Sequence, residues 1–227
     1  MKKNLLIVTL VLVFTLCLTG CGSKEVNKEA ESKANDILNN NTSEKEASDA
    51  NTTTDSKKIL IVYFSKTGEN YNVGNIDVGN TAMMASYIKE YLNADSFEIV
   101  PVNKYSDDYE ECKKEATKEM NENARPKIQN KVNNFDLYDT VFIGYPIWWG
   151  DMPMIVYTFL EEYDFTGKTV IPFNTHEGSG NAGTYSTIKS KLSGANVNTN
   201  GLALQGKTAR TDSGKDQTIN WLKGLGY

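Results

Sequence analysis

The chain has 227 residues, of which 24 are basic and 29 acidic, and its formal net charge is −5 at pH 7. This acidic balance disfavours nucleic acid as a partner, so nucleic-acid binding is excluded from the predicted functions. The chain has a single histidine, His176, which excludes a multi-histidine metal centre, and no metal site is predicted.

The first 20 residues are predicted to be a bacterial lipoprotein signal peptide. Two lysines precede the apolar run 5–18, which is short for a membrane span and is followed by small residues. The tetrapeptide Leu18-Thr19-Gly20-Cys21 resembles the lipobox of bacterial lipoproteins, in which the cysteine is acylated and becomes the new N-terminus. Cys21 is therefore the predicted lipidation site, and the protein is predicted to lie outside the cytoplasm, anchored to the cell membrane. An uncleaved N-terminal anchor helix is the alternative.

Residues 21–57 are predicted to form a disordered tether that begins at the lipidated Cys21. Residues 22–57 are rich in Asn, Ser, Thr, Glu and Lys and contain no aromatic residue, so they bury too little apolar surface to offset their conformational entropy. Loss of Cys17 with the signal leaves Cys112 as the one free thiol, which excludes an internal disulfide and a paired-cysteine redox or zinc site. Residues 58–227 remain as one domain with a sizeable core.

Hydrophobic periodicity predicts alternating strands and helices along this domain. Apolar, β-branched runs predict five strands, at residues 59–64, 96–102, 140–145, 168–173 and 196–204. Helical spacing predicts five helices, at residues 82–92, 107–123, 153–163, 185–192 and 216–225. Asn80 is the predicted N-cap of the first helix, and residues 69–78 are predicted to be irregular. The alternation predicts a doubly wound α/β fold, a five-stranded parallel sheet with helices on both faces.

The first predicted strand ends in a loop of small hydroxylated residues. Ser65, Thr67 and Gly68 follow this strand, and Asn80 and Thr81 open the next helix. Hydroxyls and free backbone N–H groups at the carboxyl end of a central strand are suited to a phosphate, with no lysine or arginine required. The alternative is an ordinary strand-to-helix turn with a capping asparagine.

The third predicted strand ends in an aromatic loop. Two adjacent tryptophans in a loop are unusual, because burying both indoles requires partners for both N–H groups. They are predicted to form a stacking wall for a flat aromatic ligand, the alternatives being a hydrophobic plug or a protein-contact patch. The loop contributes Tyr145, Pro146, Ile147, Trp148, Trp149 and Gly150, the last of which can reverse its peptide at little steric cost.

The fourth predicted strand ends in a glycine-rich loop, whose backbone N–H groups can approach a ligand closely. For His176 a proton-shuttle role, a stacking role and a plain surface position all remain open, and no catalytic residue is assigned. The candidate residues are Thr175, His176, Glu177, Gly178, Ser179 and Gly180. The three loops are expected at the same edge of the sheet, where ligands bind in open α/β folds.

A Walker A match at residues 201–208 is set aside. The letters fit the pattern, but the residues between its glycines are expected to be an apolar strand rather than the phosphate loop that the motif requires.

The three loops together resemble the flavodoxin family. The matching residues are Tyr63-Phe64-Ser65-Lys66-Thr67-Gly68-Glu69-Asn70-Tyr71, Val78-Gly79-Asn80-Thr81, 145–153 and 172–180, in this order. The resemblance covers essentially all of residues 58–227. It implies a flavodoxin-like three-layer sandwich with strand order 2-1-3-4-5 and bound flavin mononucleotide (FMN).

The resemblance also implies a role for each loop. Ser65, Thr67, Gly68, Asn80 and Thr81 would hold the FMN phosphate, residues 145–150 would flank the isoalloxazine, and residues 175–180 would line its other edge and its pyrimidine end. Trp149-Gly150-Asp151 resembles the flavodoxin segment in which a glycine carbonyl turns toward the flavin N5. Residues 69–78 split the phosphate motif, so the phosphate ligands after Gly68 stay open, with Asn70 and Tyr71 over the ribityl chain or the ring as an alternative.

The implied function is electron transfer by a lipid-anchored, FMN-binding protein whose partner is a redox protein or a small-molecule electron donor or acceptor. One alternative is an NAD(P)H- or quinone-dependent FMN oxidoreductase that uses His176 and Glu177 beside the ring. Another is a flavin-free, lipid-anchored binding module.

Overall fold

The computed structural model describes residues 58–227, whereas the predicted signal peptide, Cys21 and the tether lie outside the described residues. The strands are β1 (Ile59–Tyr63), β2 (Gly68–Asn70), β3 (Gly74–Ile76), β4 (Asp95–Glu98), β5 (Thr140–Pro146), β6 (Thr169–His176), β7 (Asn196–Val197) and β8 (Leu202–Gln205). The helices are α1 (Asn80–Leu92), α2 (Tyr109–Asn121), α3 (Met154–Glu162), α4 (Thr184–Lys191), α5 (Gly206–Ala209) and α6 (Asp212–Gly224). In this part of the chain no helix has the length and hydrophobicity to cross a membrane.

Six strands form one parallel sheet with β1 near its centre. The order is β4-β1-β5-β6-β7, and β8 pairs with the far half of β6. In terms of the predicted strands this is the order 2-1-3-4-5. The flavodoxin-like fold class is therefore confirmed.

Alternation of side chains along β1 sets the three layers. Leu60 and Val62 belong to one hydrophobic cluster, which includes Ile155 and Phe159 of α3. Ile61 points to the opposite face, into a cluster that includes residues of α1 and α6. Because successive residues of a strand face opposite sides, a strand buried on both faces must be apolar throughout.

Three predicted elements differ from the structure in ways that bear on the site. Residues 69–78, predicted to be irregular, contain the antiparallel hairpin β2–β3. The predicted strand 196–204 is divided into β7 and β8, and Pro172 of β6, which has no N–H to donate, lies between the two paired stretches. The last helix begins at Asp212 rather than at residue 216, and the short α5 precedes it.

The predicted N-cap Asn80 is instead the first residue of α1, and Gly79 takes the N-cap position. A Cβ added to Gly79 would overlap the Ser65 hydroxyl, so only glycine allows the loop after β1 to lie this close to the helix. Residues 202–205 form β8, as expected from the apolar stretch inside the Walker A match.

Candidate functional site

A cavity of about 320 Å³ opens at the carboxyl edge of the sheet, where the loops after β1, β5 and β6 meet. Its volume lies within the range of small-molecule sites, about 300–1,000 Å³. Predicted site residues that line it are Asn80, Pro146, Ile147, Trp148, Trp149, Gly150, Thr175, His176, Glu177 and Ser179. Those outside its wall are Ser65, Thr67, Gly68, Thr81, Tyr145, Gly178 and Gly180.

Thr175 joins the elements that surround this cavity. The Ile147 N–H donates to the Thr175 carbonyl at 2.8 Å, which extends the β5–β6 pairing into the aromatic loop. The Thr175 hydroxyl lies 2.8 Å from that of Thr81 in the first turn of α1. Thr175 is buried, so these two bonds fix the start of α1 and the aromatic loop relative to β6.

The start of α1 has the chemistry of an anion site. Its N-cap residue is Gly79, so no N-cap side chain accepts a hydrogen bond from the helix, and its first turn carries no acidic residue. The Ser65 hydroxyl accepts from the Ala82 N–H at 3.0 Å. The backbone N–H groups of Asn80 and Thr81, which precede Ala82 in the helix, are therefore not bonded by Ser65. Free N–H groups and the positive end of the helix dipole favour a phosphate at this position.

Gly68 and Lys66 hold the hairpin in place. At φ +77° an added Cβ of Gly68 would lie 2.7 Å from the Asp107 Cα, so the hairpin approaches that backbone as only glycine permits. The Lys66 ammonium donates to the carbonyl oxygens of Glu69 at 2.8 Å and Thr67 at 3.0 Å. Lys66 also lines the cavity and is a positive charge that the sequence motif did not assign to the site.

The two tryptophans of the aromatic loop have different roles. Trp148 packs edge-to-face on Phe64 and Tyr105, with ring centroids 5.4 and 5.1 Å away. Trp149 is 55% exposed beside the cavity. Trp148 thus anchors the loop to the core, and Trp149 is the ring available to a ligand or a partner.

A tight turn presents Trp149. Trp148 and Asp151 exchange backbone hydrogen bonds of 2.9 and 3.0 Å, and the residues between them, Trp149 and Gly150, have φ values of +53° and +75°. Two positive φ values are typical of a type I′ turn, and a tryptophan in this conformation is strained. The Asp151 carboxylate accepts from the Tyr157 hydroxyl at 2.9 and 3.0 Å.

A buried polar network positions the glycine-rich loop. The Asn174 side chain, which is fully buried, donates to the Gly180 carbonyl at 3.0 Å and accepts from the Tyr185 hydroxyl at 2.6 Å. The Tyr145 hydroxyl, also buried, lies 2.8 Å from that of Thr184 at the start of α4. Tyr145 therefore supports the end of the glycine-rich loop from below.

His176 and Glu177 carry the titratable groups of that loop. The Gly178 N–H donates to His176 Nδ1 at 2.9 Å, and burial lowers the pKa of the imidazole. Burial also raises the pKa of Glu177, and hydrogen bonds from the Gly206 N–H and the Asn72 side chain oppose that rise. Both residues line the cavity, so a ligand would meet an imidazole whose burial favours the neutral form and a partly desolvated carboxyl.

One wall of the cavity comes from α2, which the sequence did not assign to the site. Tyr109, Cys112 and Ala116 lie on one helical face and line the cavity, and burial raises the pKa of the Cys112 thiol to about 11. The ring of Tyr109 stacks on exposed Tyr71, with centroids 5.7 Å apart. The sequence signal that could have indicated this face is the pair of small residues Cys112 and Ala116, four positions apart in an otherwise charged helix.

Arg210 was also missed. Its guanidinium donates to the Val78 carbonyl at 2.6 Å and to the Asn80 side chain at 3.4 Å, which places a fixed cation near the start of α1. Nothing in the local sequence around Arg210 predicts this contact, because 130 residues separate it from Asn80.

The sequence profile of one family, described as flavodoxin, matches residues 58–224. The chain belongs to the flavodoxin family. A solved structure with 32% identity is that of a Bacteroides eggerthii DSM 20697 protein assigned as a flavoprotein; its TM-score is 0.60, and the match covers 75% of this chain and 98% of that chain. A comparison with curated protein sequences finds no match.

Two further solved structures resemble this flavodoxin-family chain. A Bacteroides uniformis ATCC 8492 protein, also assigned as a flavoprotein, is 30% identical, with a TM-score of 0.59 and coverage of 74% of this chain and 98% of that chain. A flavoprotein of Lactobacillus acidophilus NCFM in complex with FMN is 25% identical, with a TM-score of 0.53 and coverage of 67% and 96%. The matches cover 98%, 98% and 96% of these three solved chains. Each solved chain is therefore almost entirely this domain, so a flavodoxin domain of this kind folds on its own.

Proposed function

We propose that this flavodoxin-family chain binds FMN at the carboxyl edge of its sheet and transfers electrons there, while a lipid on Cys21 holds it at the cell membrane outside the cytoplasm. The observation that carries the redox part is the convergence of three loops on one cavity, whose wall includes Asn80 at the uncapped start of α1 and the exposed indole of Trp149. The FMN complex of the Lactobacillus acidophilus relative supports the choice of cofactor.

The donor set fits the phosphate of FMN. The uncapped first turn of α1 supplies N–H groups, and the hydroxyls of Ser65 and Thr67 lie in the adjoining loop. Arg210 adds positive charge next to Asn80. These groups would hold a phosphate dianion in the way that helix N-termini commonly do.

The aromatic part of the cavity wall fits the flavin ring. Trp149 and Tyr71 offer aromatic faces, and the glycine-rich loop offers polar groups to the ring's edge. FMN supplies the one- and two-electron chemistry when bound, whereas the chain binds and orients it and restricts its contact with water. With Trp149 half exposed, a partner protein or a small molecule would reach the site from that side.

The first experiment is a visible titration of residues 58–227 with FMN, followed by photoreduction. A shifted flavin spectrum with an accumulating one-electron-reduced form supports the electron carrier. A protein that stays colourless with added FMN contradicts the proposal and favours a flavin-free binding module.

An FMN oxidoreductase that uses NAD(P)H or a quinone is the second candidate. It is favoured by the ionisable side chains in the cavity wall, Lys66, His176 and Glu177. Steady-state oxidation of NADH or of a quinol by the FMN-loaded protein distinguishes the two candidates. Turnover on the scale of ordinary enzymes, about 1–10³ s⁻¹, would favour the oxidoreductase.

Lipid attachment is tested separately on the full chain. In bacteria fed labelled palmitate, the unaltered protein should take up the label and sediment with membranes. Cys21→Ser should abolish the label, and Cys17→Ser, inside the predicted signal, should retain it. Label that persists in Cys21→Ser would contradict the anchor.

A further inference from the structure

The single histidine of the chain has a fixed tautomer. The Gly178 backbone N–H donates to His176 Nδ1 at 2.9 Å, and a backbone amide can only donate, so Nδ1 must be the unprotonated nitrogen. In a neutral imidazole the proton then resides on Nε2. Within residues 58–227 no hydrogen bond uses Nε2, so this donor is free for a ligand.

Gly178 makes this arrangement available. Its φ is +123°, a conformation that residues with a side chain rarely adopt, and nothing lies within 4 Å of an added Cβ. The loop thus turns its N–H back onto the imidazole two residues earlier. Gly178, which the sequence predicts as a close-approach residue, thereby sets the protonation pattern of the histidine.

The residue that carries this free donor lines the site. His176 is the last residue of β6 and lines the cavity next to Thr175, the residue that joins β6 to α1 and to the aromatic loop. Its neighbour Glu177 is held by the Gly206 N–H at 3.2 Å. A ligand group that meets Nε2 must therefore be a hydrogen-bond acceptor.

We propose that His176 is the residue that donates a hydrogen bond from Nε2 to a carbonyl or ring nitrogen of the flavin pyrimidine, and that this bond raises the reduction potential of the bound flavin. The inference rests on the proposed FMN function. A neutral donor interacts more strongly with an acceptor that gains negative charge, so reduced FMN is held more tightly relative to oxidised FMN than without it.

The tautomer is tested first, on residues 58–227 without flavin. A ¹⁵N spectrum of the one histidine should show a pyrrole-type Nε2 and a pyridine-type Nδ1 at pH 7.5. The reverse pattern, or a fast average of both tautomers, overturns the inference without any reference to FMN.

Two substitutions separate the hydrogen bond between Gly178 and Nδ1 from the Nε2 donor, and a third removes both. His176→Asn places an amide oxygen where Nδ1 lies, which keeps an acceptor for Gly178 but removes the donor. His176→Gln places an amide N–H near the Nε2 position but removes the Nδ1 acceptor. His176→Leu removes both groups.

The readout is the ratio of the affinities for reduced and oxidised FMN, from redox titration. We expect His176→Asn and His176→Leu to lower this ratio about tenfold, which for a two-electron couple is about 30 mV. His176→Gln should keep the unaltered ratio to within about twofold, because its amide N–H still donates. If His176→Asn has the same affinity ratio as the unaltered protein, or if His176→Gln lowers the ratio as far as His176→Leu does, the histidine acts through the loop. The inference is then wrong. Failure of the unaltered protein to bind FMN would instead contradict the proposed function, while the tautomer could still be measured.

Discussion

Gly150 is the residue whose backbone most directly limits the aromatic loop. Its φ is +75° and an added Cβ would meet nothing within 4 Å, so a larger residue costs backbone strain and not a clash. We expect Gly150→Ala to lower the free energy of unfolding by about 1 kcal/mol and to weaken FMN binding, because the turn carries Trp149. Urea denaturation and a flavin titration measure the two effects.

Gly224→Ala is the matched control for that substitution. Gly224 also has open space around an added Cβ, but it is the last residue of α6 and its φ is not positive. Alanine there should leave FMN binding unchanged and should leave stability equal or raised by up to about 1 kcal/mol. Equal losses in both variants would mean that the positive φ of Gly150 does not matter.

Tyr185 of α4 shows how an element outside the cavity positions a loop that lines it. Its hydroxyl, 2.6 Å from Asn174 Oδ1, satisfies an oxygen that is fully buried. Tyr185→Phe should cost about 1–3 kcal/mol of stability, since the Asn174 oxygen loses its partner. FMN affinity should fall as well, because Asn174 also holds the Gly180 carbonyl. Urea denaturation and flavin titration report both.

Tyr138→Phe separates stability from site geometry. The Tyr138 hydroxyl donates to Asp95 Oδ2 at 2.8 Å, at the opposite, amino end of the sheet. This variant should lose stability and keep its FMN affinity. A loss of affinity in Tyr138→Phe equal to that in Tyr185→Phe would show that general destabilisation, and not the loop, weakens binding.

Glu161 connects three elements on the surface. It accepts from Arg125 at 2.7 and 2.8 Å and from Lys191 of α4 at 3.2 Å, and mainly the Arg125 bonds lower its pKa to about 2. A carboxyl with a lowered folded-state pKa stabilises the protein above its unfolded pKa, near 4.3, and this contribution is lost as the pH falls toward 2. Because the pair is exposed, Glu161→Gln should cost under about 1 kcal/mol at pH 7 and still less at pH 3.

Urea denaturation at the two pH values checks this, with Glu111→Gln as control. Among residues 58–227, Glu111 forms an ion pair only with Lys114, at 2.6 Å within α2, so its loss should cost about 0.3 kcal/mol at pH 7. A cost of Glu161→Gln that grows on acidification would contradict the predicted sign.

The local hydrophobic pattern was sufficient to predict the elements whose burial follows from their own sequence. The apolar run of β1 predicts a strand buried on both faces, and the three loops at its edge follow from the parallel order. The hairpin β2–β3 could not be predicted this way, because its strands are polar and its position depends on Gly68 approaching Asp107. The division of the last strand depends on Pro172, which belongs to the neighbouring strand.

The site shows the same limit. Adjacent tryptophans predicted an aromatic loop, but only packing on Phe64 and Tyr105 decides that Trp148 turns inward. Contacts between distant segments also bring Arg210 to Asn80 and the face of α2 that includes Cys112 to the cavity. The Arg210 contact leaves no periodic trace in the sequence, and the α2 face leaves only the small residues Cys112 and Ala116, four positions apart.

For the whole molecule, FMN binding should raise the free energy of unfolding. A ligand that binds the folded chain and not the unfolded one adds about 2.7 kcal/mol at one hundred times its Kd. FMN should therefore raise the urea midpoint of residues 58–227, and riboflavin, which lacks the phosphate, should raise it less at the same concentration. The difference reports the anion site at the start of α1, where Arg210 lies near Asn80. If riboflavin and FMN stabilise equally, the flavin ring alone accounts for binding and the phosphate is not held by this turn.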